Sequence, residues 1–333
     1  MVLKQTIPVV DLDDFMSTNP ARRRVFVDDL GKAFVEYGFV AIENHGIEPP
    51  ILRGAYGSMK TLFEMDSHKK SKYELRKMGR QRGYTPFGKE RAKDATAADL
   101  KEFWHVGPEF GHDNPLRRRI PDNIWPIEVP TFKSDSLALW GALHGSGLNI
   151  LRALALYLGE PEETFSQMVQ GGNTVLRMIR YPEPTPSTDG IWAAAHEDIN
   201  LITLLVEASD PGLELKKRNG DWLPIMPVPG QLIADTGDMM QRLTNGLIPA
   251  TTHRVRAPQT ATGPRYSIPF FMHPHPDVYL DPLPSCREGQ AGLVYPRQTA
   301  EAYLGDRLRA NGVLTVDVDV DWMVGRTIDE DAD

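Results

Sequence analysis

The sequence predicts a mainly β protein with flanking helices. Between residues 174 and 271, short apolar runs alternate with turns rich in Pro, Gly, Asn and Asp, which is typical of a sheet sandwich or barrel. Residues 136–158 carry apolar side chains at helical spacing, and Gly159 follows them. We therefore expect one long helix to support the sheets.

The segments before residue 136 follow from local patterns. Pro20–Tyr37 has apolar residues at helical spacing, and Gly38 ends this run before an apolar strand at 39–42. A second amphipathic helix is predicted over residues 52–65. The stretch 69–101 is charged and contains Gly, so it predicts a loop region beside a binding site, with its Lys and Arg side chains in solvent.

The C-terminal part is turn-rich after Pro282. A helix is predicted over residues 299–310, and the acidic end at 329–333 is expected to fray. The whole chain is interpreted as one domain over 1–333, with 1–170 largely helical with some strands, 171–285 forming the β core, and 286–333 forming the last helix and tail.

Composition excludes several classes of protein. A hydrophobic content of 41% in 333 residues is enough for a substantial core. The formal net charge of -8 argues against binding to nucleic acid, because phosphates need a basic surface.

The expected location is the cytoplasm, without membrane attachment. Cys286 is the only cysteine, which fits a reducing compartment and excludes a cysteine cluster for metal. Asp11, Asp13 and Asp14 interrupt the apolar run that a secretory signal needs, and no segment approaches the roughly 20 apolar residues of a membrane span.

His196, Asp198 and His253 are candidate metal ligands. Two neutral imidazoles and one carboxylate on a single face leave the opposite face open for dioxygen and an organic acid. Residues at i and i+2 of a strand point to the same side, so His196 and Asp198 can reach one metal if 196–206 forms a buried strand. Taken alone, His196 is equally explained as a surface or core histidine of a strand, and an isolated histidine such as His253 is more often structural than a ligand.

Arg265 and Ser267 are candidates for binding a carboxylate. A guanidinium offers a planar fork of donors, and a Ser two residues along a strand presents its hydroxyl to the same face. Tyr181 can add a phenolic hydrogen bond. An arginine on an exposed strand edge and a buried structural tyrosine are the alternatives.

In combination, these motifs resemble the isopenicillin N synthase-like family of iron and 2-oxoglutarate dependent oxygenases. The resemblance covers most of the chain. The matching segments are residues 7–12, 38–40, 44–47, 82–84, 99–103, 176–182, 195–198, 203–205, 237–241, 244–246, 252–255 and 265–271. Ile179 stands where plant members commonly have Asn, and Glu197 stands where they often have Thr.

The resemblance implies a fold and a chemistry. The fold is a distorted double-stranded β-helix, a cupin-like jelly roll. Fe(II) is bound by His196, Asp198 and His253, while Arg265, Ser267 and Tyr181 hold 2-oxoglutarate. With dioxygen, 2-oxoglutarate is converted to succinate and CO2, and a small-molecule substrate is oxidised.

Two other hypotheses stay open at this point. Isopenicillin N synthase keeps an Arg-x-Ser pair without using 2-oxoglutarate, so the chain could be a cosubstrate-independent oxidase or cyclase. It could also be a non-catalytic metal-binding jelly roll. The candidate substrate-lining residues each have an alternative explanation in packing; they are Tyr84, Phe87, His105, Arg177 and Phe271.

Overall fold

The computed structural model describes residues 5–90, 99–184, 191–258, 263–287 and 295–310. The strands are β1 (Val9–Asp11), β2 (Phe39–Glu43), β3 (Gly83–Thr85), β4 (Glu102–Val106), β5 (Val175–Tyr181), β6 (Ile191–His196), β7 (Ile202–Val206), β8 (Leu213–Lys216), β9 (Trp222–Pro224), β10 (Leu232–Thr236), β11 (His253–Arg256) and β12 (Arg265–Met272). The helices are α1 (Leu12–Met16), α2 (Pro20–Tyr37), α3 (Pro49–Glu64), α4 (Ser67–Ser71), α5 (Phe132–Tyr157), α6 (Thr164–Val169), α7 (Asp238–Leu243) and α8 (Ala300–Ala310).

These strands form two sheets. The larger sheet has eight strands in the order β1-β2-β10-β7-β12-β5-β4-β3, and the smaller has four in the order β6-β11-β8-β9. β1 and β2 pair in parallel, and the pairings around them are antiparallel. Two curved sheets with helices against one of them are the predicted jelly roll, which is confirmed.

The period-2 alternation of the strands creates two separate cores. On β5, Ile179 and Tyr181 face the smaller sheet and pack with Trp192 and Val255. The side chains that alternate with these two along β5 face the other way, where Met178 packs with the helices. The inner core therefore lies between the two sheets, and the outer core lies between the large sheet and the helices.

The predicted helices are found with small shifts in their bounds. α2 has the predicted bounds, and Gly38 ends it in the left-handed region with φ 66, where its N–H bonds to the carbonyl of Phe34. α5 packs on the large sheet, with the Trp140 ring edge-on to Phe270 at a centroid distance of 5.4 Å. The predicted acidic end at 329–333 lies outside the described residues.

Strands from the N-terminal part complete the large sheet. β2 pairs with β10, and β4 pairs with β5, so residues far apart in the chain share hydrogen-bonded ladders.

The prediction that the basic residues of 69–101 are solvated is wrong for three of them. Lys70, Arg82 and Lys101 are buried, because each finds acceptors inside the fold. Among the described residues, no helix is long and apolar enough to cross a bilayer.

The outer core predicts a large effect for one substitution. Phe270 on β12 is 0% exposed, so Phe270→Ala is expected to lower the free energy of unfolding by about 3 to 5 kcal/mol through lost burial and an unfilled cavity. Ile127 is 84% exposed, and Ile127→Ala is expected to change the free energy of unfolding by less than about 0.5 kcal/mol. Urea denaturation measures both. Equal effects of the two substitutions would contradict the described packing.

Candidate active site

Three candidate metal ligands meet where the smaller sheet opens into the interior. His196 is the last residue of β6 and His253 is the first residue of β11, and the two are directly paired. The Nε2 atoms of both lie 3.8 Å from Oδ1 of Asp198. One ligand atom from each residue lies within 4.8 Å of the others. Ligand atoms about 2 Å from a shared ion lie at most about 4 Å apart, so the three can hold one metal once their side chains draw together by about 1 Å.

Backbone carbonyls set the orientation of both imidazoles. Nδ1 of His196 lies 2.7 Å from the carbonyl oxygen of Ala194, and Nδ1 of His253 lies 3.2 Å from that of Thr251. A proton on Nδ1 donates to these carbonyls and leaves Nε2 free to coordinate. Burial, reinforced by the neighbouring His196, lowers the pKa of His253 to about 4. His253 is therefore a neutral imidazole at neutral pH, which is the form that can coordinate a metal.

The position of Asp198 is fixed by side chains from the turn that follows it. Its Oδ2 accepts a hydrogen bond from the Thr203 hydroxyl, which in turn accepts one from Nδ2 of Asn200 at 2.9 Å. These bonds leave Oδ1 directed toward the two imidazoles. Sequence reasoning missed Thr203 and Asn200, because polar side chains at the start of an apolar strand have no distinctive spacing.

The expectation that His196 and Asp198 share one strand is wrong. β6 ends at His196, and the chain then crosses to the other sheet before β7 begins at Ile202. Asp198 lies in this crossing, where its carbonyl accepts a hydrogen bond from the N–H of Asp238 at 2.7 Å. The turn, and not the alternation of side chains along a strand, brings the Asp198 carboxylate to the two imidazoles.

Gly237 lets the backbone of the crossing segment pack closely against it. A Cβ at Gly237 would lie 2.5 Å from the carbonyl oxygen of Asn200 and 2.8 Å from that of Asp198. Real Cβ atoms essentially never come so close to backbone oxygens. A side chain at position 237 would displace the backbone segment that carries Asp198.

The candidate carboxylate site lies deeper between the sheets. Arg265 at the start of β12 pairs with Tyr181 on β5, and its guanidinium lies 5.2 Å from the Tyr181 ring centroid. Arg265, Ser267 and Tyr181 are all buried. Nε of Arg265 donates to the carbonyl oxygen of Asp210 at 3.0 Å, but its buried Nη1 has no hydrogen-bond partner among the described residues. A buried guanidinium with an unpartnered donor suits an incoming carboxylate.

A cavity of about 130 Å³ adjoins the metal-ligand cluster. Of the candidate substrate residues, His105, Arg177 and Phe271 line it. Tyr84 does not. It points to the opposite side of the large sheet, where its hydroxyl donates to Oε2 of Glu102 at 2.6 Å. Phe87 is 38% exposed and does not line the cavity either.

The structure adds cavity residues that the sequence analysis did not identify. Glu90, Asp99 and Lys101 form ion pairs in the wall. His273 and the α8 residues Leu304 and Leu308 also line the cavity. Of these, Lys101 was predicted to be solvated, and its alternation with Phe103 and His105 along the chain is the signal that could have placed it in the cavity.

α8 is bound to Asp238, the residue whose N–H bonds to the carbonyl of Asp198. The Tyr303 hydroxyl donates to Oδ2 of Asp238 at 2.9 Å, and Arg307 pairs with the same oxygen at 3.1 Å. At the other end of the helix, Glu301 pairs with Arg119 at 2.6 Å. These contacts hold the apolar side of α8 against the cavity.

Comparisons with known proteins agree with this geometry. Residues 7–128 match the family model for the N-terminal region of non-haem dioxygenases in morphine synthesis, and residues 173–274 match that of the 2OG-Fe(II) oxygenase superfamily. A 2-oxoglutarate-Fe(II) type oxidoreductase of Emericella nidulans is 30% identical over 307 residues, which are 88% of this chain and 87% of the relative. The chain belongs to the 2OG-Fe(II) oxygenase superfamily.

Solved structures extend the likeness to the fold. A 2OG-Fe(II) oxygenase family protein from Caulobacter crescentus is 40% identical, with a TM-score of 0.83 over 92% of this oxygenase and 99% of that chain. A full-length Neurospora crassa protein, solved in complex with alpha-KG, is 25% identical, with a TM-score of 0.80 over 91% of this chain and 96% of that one. The protein is an Fe(II)- and 2-oxoglutarate-dependent dioxygenase that acts on a small molecule.

Gly237→Ala is expected to weaken metal binding about 10- to 100-fold, the scale for lost support of a ligand, because the new Cβ displaces the Asp198 segment. Gly57→Ala in α3 is the control, since a Cβ there has no neighbour within 4 Å. Titration of each protein with Fe(II) under anaerobic conditions measures the effect. Unchanged affinity in Gly237→Ala would show that Asp198 does not depend on this contact.

The metal-free protein is expected to lose stability as the pH falls from above 6.5 toward 4. Burial lowers the pKa of both His253 and His273 to about 4, whereas unfolded imidazoles titrate near 6.5. In this window the unfolded chain binds protons that the folded chain does not, so acid favours unfolding, by roughly 2 kcal/mol per histidine between pH 7 and 5. Urea denaturation at both pH values measures the loss, and His273→Gln should reduce it.

Proposed function

We propose that His196, Asp198 and His253 bind the Fe(II) of this oxygenase, and that Arg265 with Ser267 and Tyr181 binds the far carboxylate of 2-oxoglutarate. The observation that carries the proposal is the convergence of three ligand atoms within 4.8 Å at the edge of a cavity. Arg177 and Phe271 are proposed to contact the substrate, because they line that cavity.

The donor set favours Fe(II) over a structural zinc ion. Two imidazoles and one carboxylate occupy one face of a metal and leave positions open, whereas structural zinc sites are closed by four protein ligands. When bound, the iron supplies the oxygen chemistry, in which 2-oxoglutarate is decarboxylated to succinate as the substrate is oxidised. The protein contributes the positions of the ligands and the cavity beside them.

The orientation of 2-oxoglutarate would be set by Arg265. Its unpartnered Nη1 supports this role, because a buried cationic donor without an acceptor is costly and a carboxylate would satisfy it. Burial lowers the pKa of Arg265, and an anion beside it would oppose that shift. Ser267 lies two residues along the same strand, so its hydroxyl lies on the same face.

We further propose that residues 1–333 form one oxygenase domain. The sheet shared by β2, β4, β5 and β10 supports this. The net charge of -8 supports small molecules, and not nucleic acids, as its ligands. The single cysteine, Cys286, supports function in a reducing compartment such as the cytoplasm.

The ligand assignment is tested with anaerobic protein, Fe(II) and 2-oxoglutarate. We expect an absorption band from the metal-bound cosubstrate and, after air is admitted, succinate. His196→Ala and Asp198→Ala should abolish both signals. Arg265→Ala should retain Fe(II) binding and weaken 2-oxoglutarate binding by about 2 to 5 kcal/mol, the scale for truncating a buried charged pair.

Arg256→Ala is the matched control, because this arginine is exposed and lies on β11 in the smaller sheet. It should leave the band and succinate formation unchanged. Iron binding without any response to 2-oxoglutarate would instead indicate a cosubstrate-independent oxidase. Absence of iron binding would contradict the assigned ligands altogether.

A further inference from the structure

We infer that Glu90 makes the substrate cavity reject anions, so that this oxygenase acts on an uncharged small molecule. The inference rests on the proposed function of the same cavity. Glu90 does so by occupying the position on Arg177 that a substrate carboxylate would need.

Glu90 binds Arg177 with both carboxylate oxygens. Nη1 of Arg177 donates to Oε2 at 3.0 Å, and Nη2 donates to Oε1 at 3.1 Å. Nε donates to Nε2 of His105 at 2.6 Å. The guanidinium also lies 4.4 Å from the ring centroid of Phe103 and 5.2 Å from that of Phe271. The bidentate position of Arg177 is therefore filled by the protein itself.

A second ion pair completes a cluster without net charge. Nζ of Lys101 lies 2.7 Å from Oε2 of Glu90 and 2.8 Å from Oδ2 of Asp99. Arg177 and Lys101 thus balance Glu90 and Asp99. Burial opposes ionisation of Glu90, but Arg177 and Lys101 outweigh it and hold the pKa of its carboxyl well below the usual range. The Glu90 carboxylate therefore stays charged at neutral pH.

The cluster contrasts with the second arginine of the interior. Arg177 and Tyr181 lie on the same face of β5, four residues apart, which corresponds to roughly 13 Å along a strand. Tyr181 pairs with Arg265, whose Nη1 has no partner among the described residues. An anion is accommodated at Arg265, whereas at Arg177 it meets Glu90.

This difference has a direct consequence for selectivity. An anion entering the cavity would have to displace Glu90 or lie beside it, and both cost free energy because buried charges are poorly screened by solvent. An uncharged molecule with an aromatic or apolar part can contact Phe103 and Phe271 without that cost. The same arrangement keeps a second molecule of 2-oxoglutarate out of the substrate position.

Two substitutions change the charge of the cluster in opposite directions. Glu90→Gln keeps the shape of the side chain and leaves one positive charge in excess. Arg177→Met leaves one negative charge in excess. The probes are benzamide, benzoate and benzylamine, which share a ring and differ in charge.

Binding is measured to the full-length protein loaded with Mn(II) and 2-oxoglutarate, from the relaxation of probe protons by the nearby Mn(II). The unaltered protein should bind benzamide at least about tenfold more tightly than benzoate or benzylamine. Glu90→Gln should improve benzoate binding at least about tenfold, and Arg177→Met should do the same for benzylamine. The double variant should lose the gain in benzoate binding.

Glu102→Gln is the matched control. Glu102 is also a buried carboxylate, and it pairs with Lys70 and Arg180, but it does not line the cavity. Its substitution removes a comparable ion pair and should leave the order of the three probes unchanged. If Glu90→Gln does not fold, the benzylamine gain in Arg177→Met decides the question.

The inference would be overturned by benzoate binding as tight as benzamide binding in the unaltered protein, or by no gain of benzoate affinity in folded Glu90→Gln. An equal gain in Glu102→Gln would do so as well. Failure of the proposed function is distinguished in the same titration, because it would appear first as absent binding of 2-oxoglutarate to the metal-loaded unaltered protein.

Discussion

The antiparallel pairing of β6 with β11 is the constraint on which the site depends. It places His196 directly opposite His253, although the two lie far apart in the chain, and backbone carbonyls then turn both rings in one direction. Asp198 reaches these rings only because the chain leaves β6 and crosses to the other sheet. Gly237 makes room for that crossing. The geometry for binding a metal is thus produced by sheet topology, with local contacts refining it.

Much of this arrangement could be predicted from the sequence. Helical spacing located α2 and α5, and the order of motifs around His196, His253 and Arg265 indicated the family and the fold. The local route by which Asp198 arrives could not be predicted, because His-x-Asp is equally compatible with a continuous strand. Tyr84 was misplaced for a related reason. Side chains on β3 alternate in direction, and no local signal told which face the cavity would use.

The buried charges of the cavity wall were the other feature that sequence alone concealed. Glu90, Asp99 and Lys101 belong to a segment whose composition suggests a solvated loop, yet they neutralise one another inside the protein. Only spatial neighbours show whether a lysine lies in water or in an ion pair. Arg177 and Arg265 cannot be told apart by residue type either. Among the described residues, Arg177 is paired with Glu90, whereas Nη1 of Arg265 has no partner.

Metal binding and the shape of the substrate cavity depend on different elements of this fold. The proposed iron ligands come from β6, its following turn and β11, whereas Leu304 and Leu308 reach the cavity from α8, which Asp238 and Arg119 hold in place. None of the proposed ligands lies on that helix, so residues on its inward side can vary in size without replacing a ligand. Divergent evolution therefore has a route by which relatives acquire new substrates while the oxidation itself is inherited unchanged.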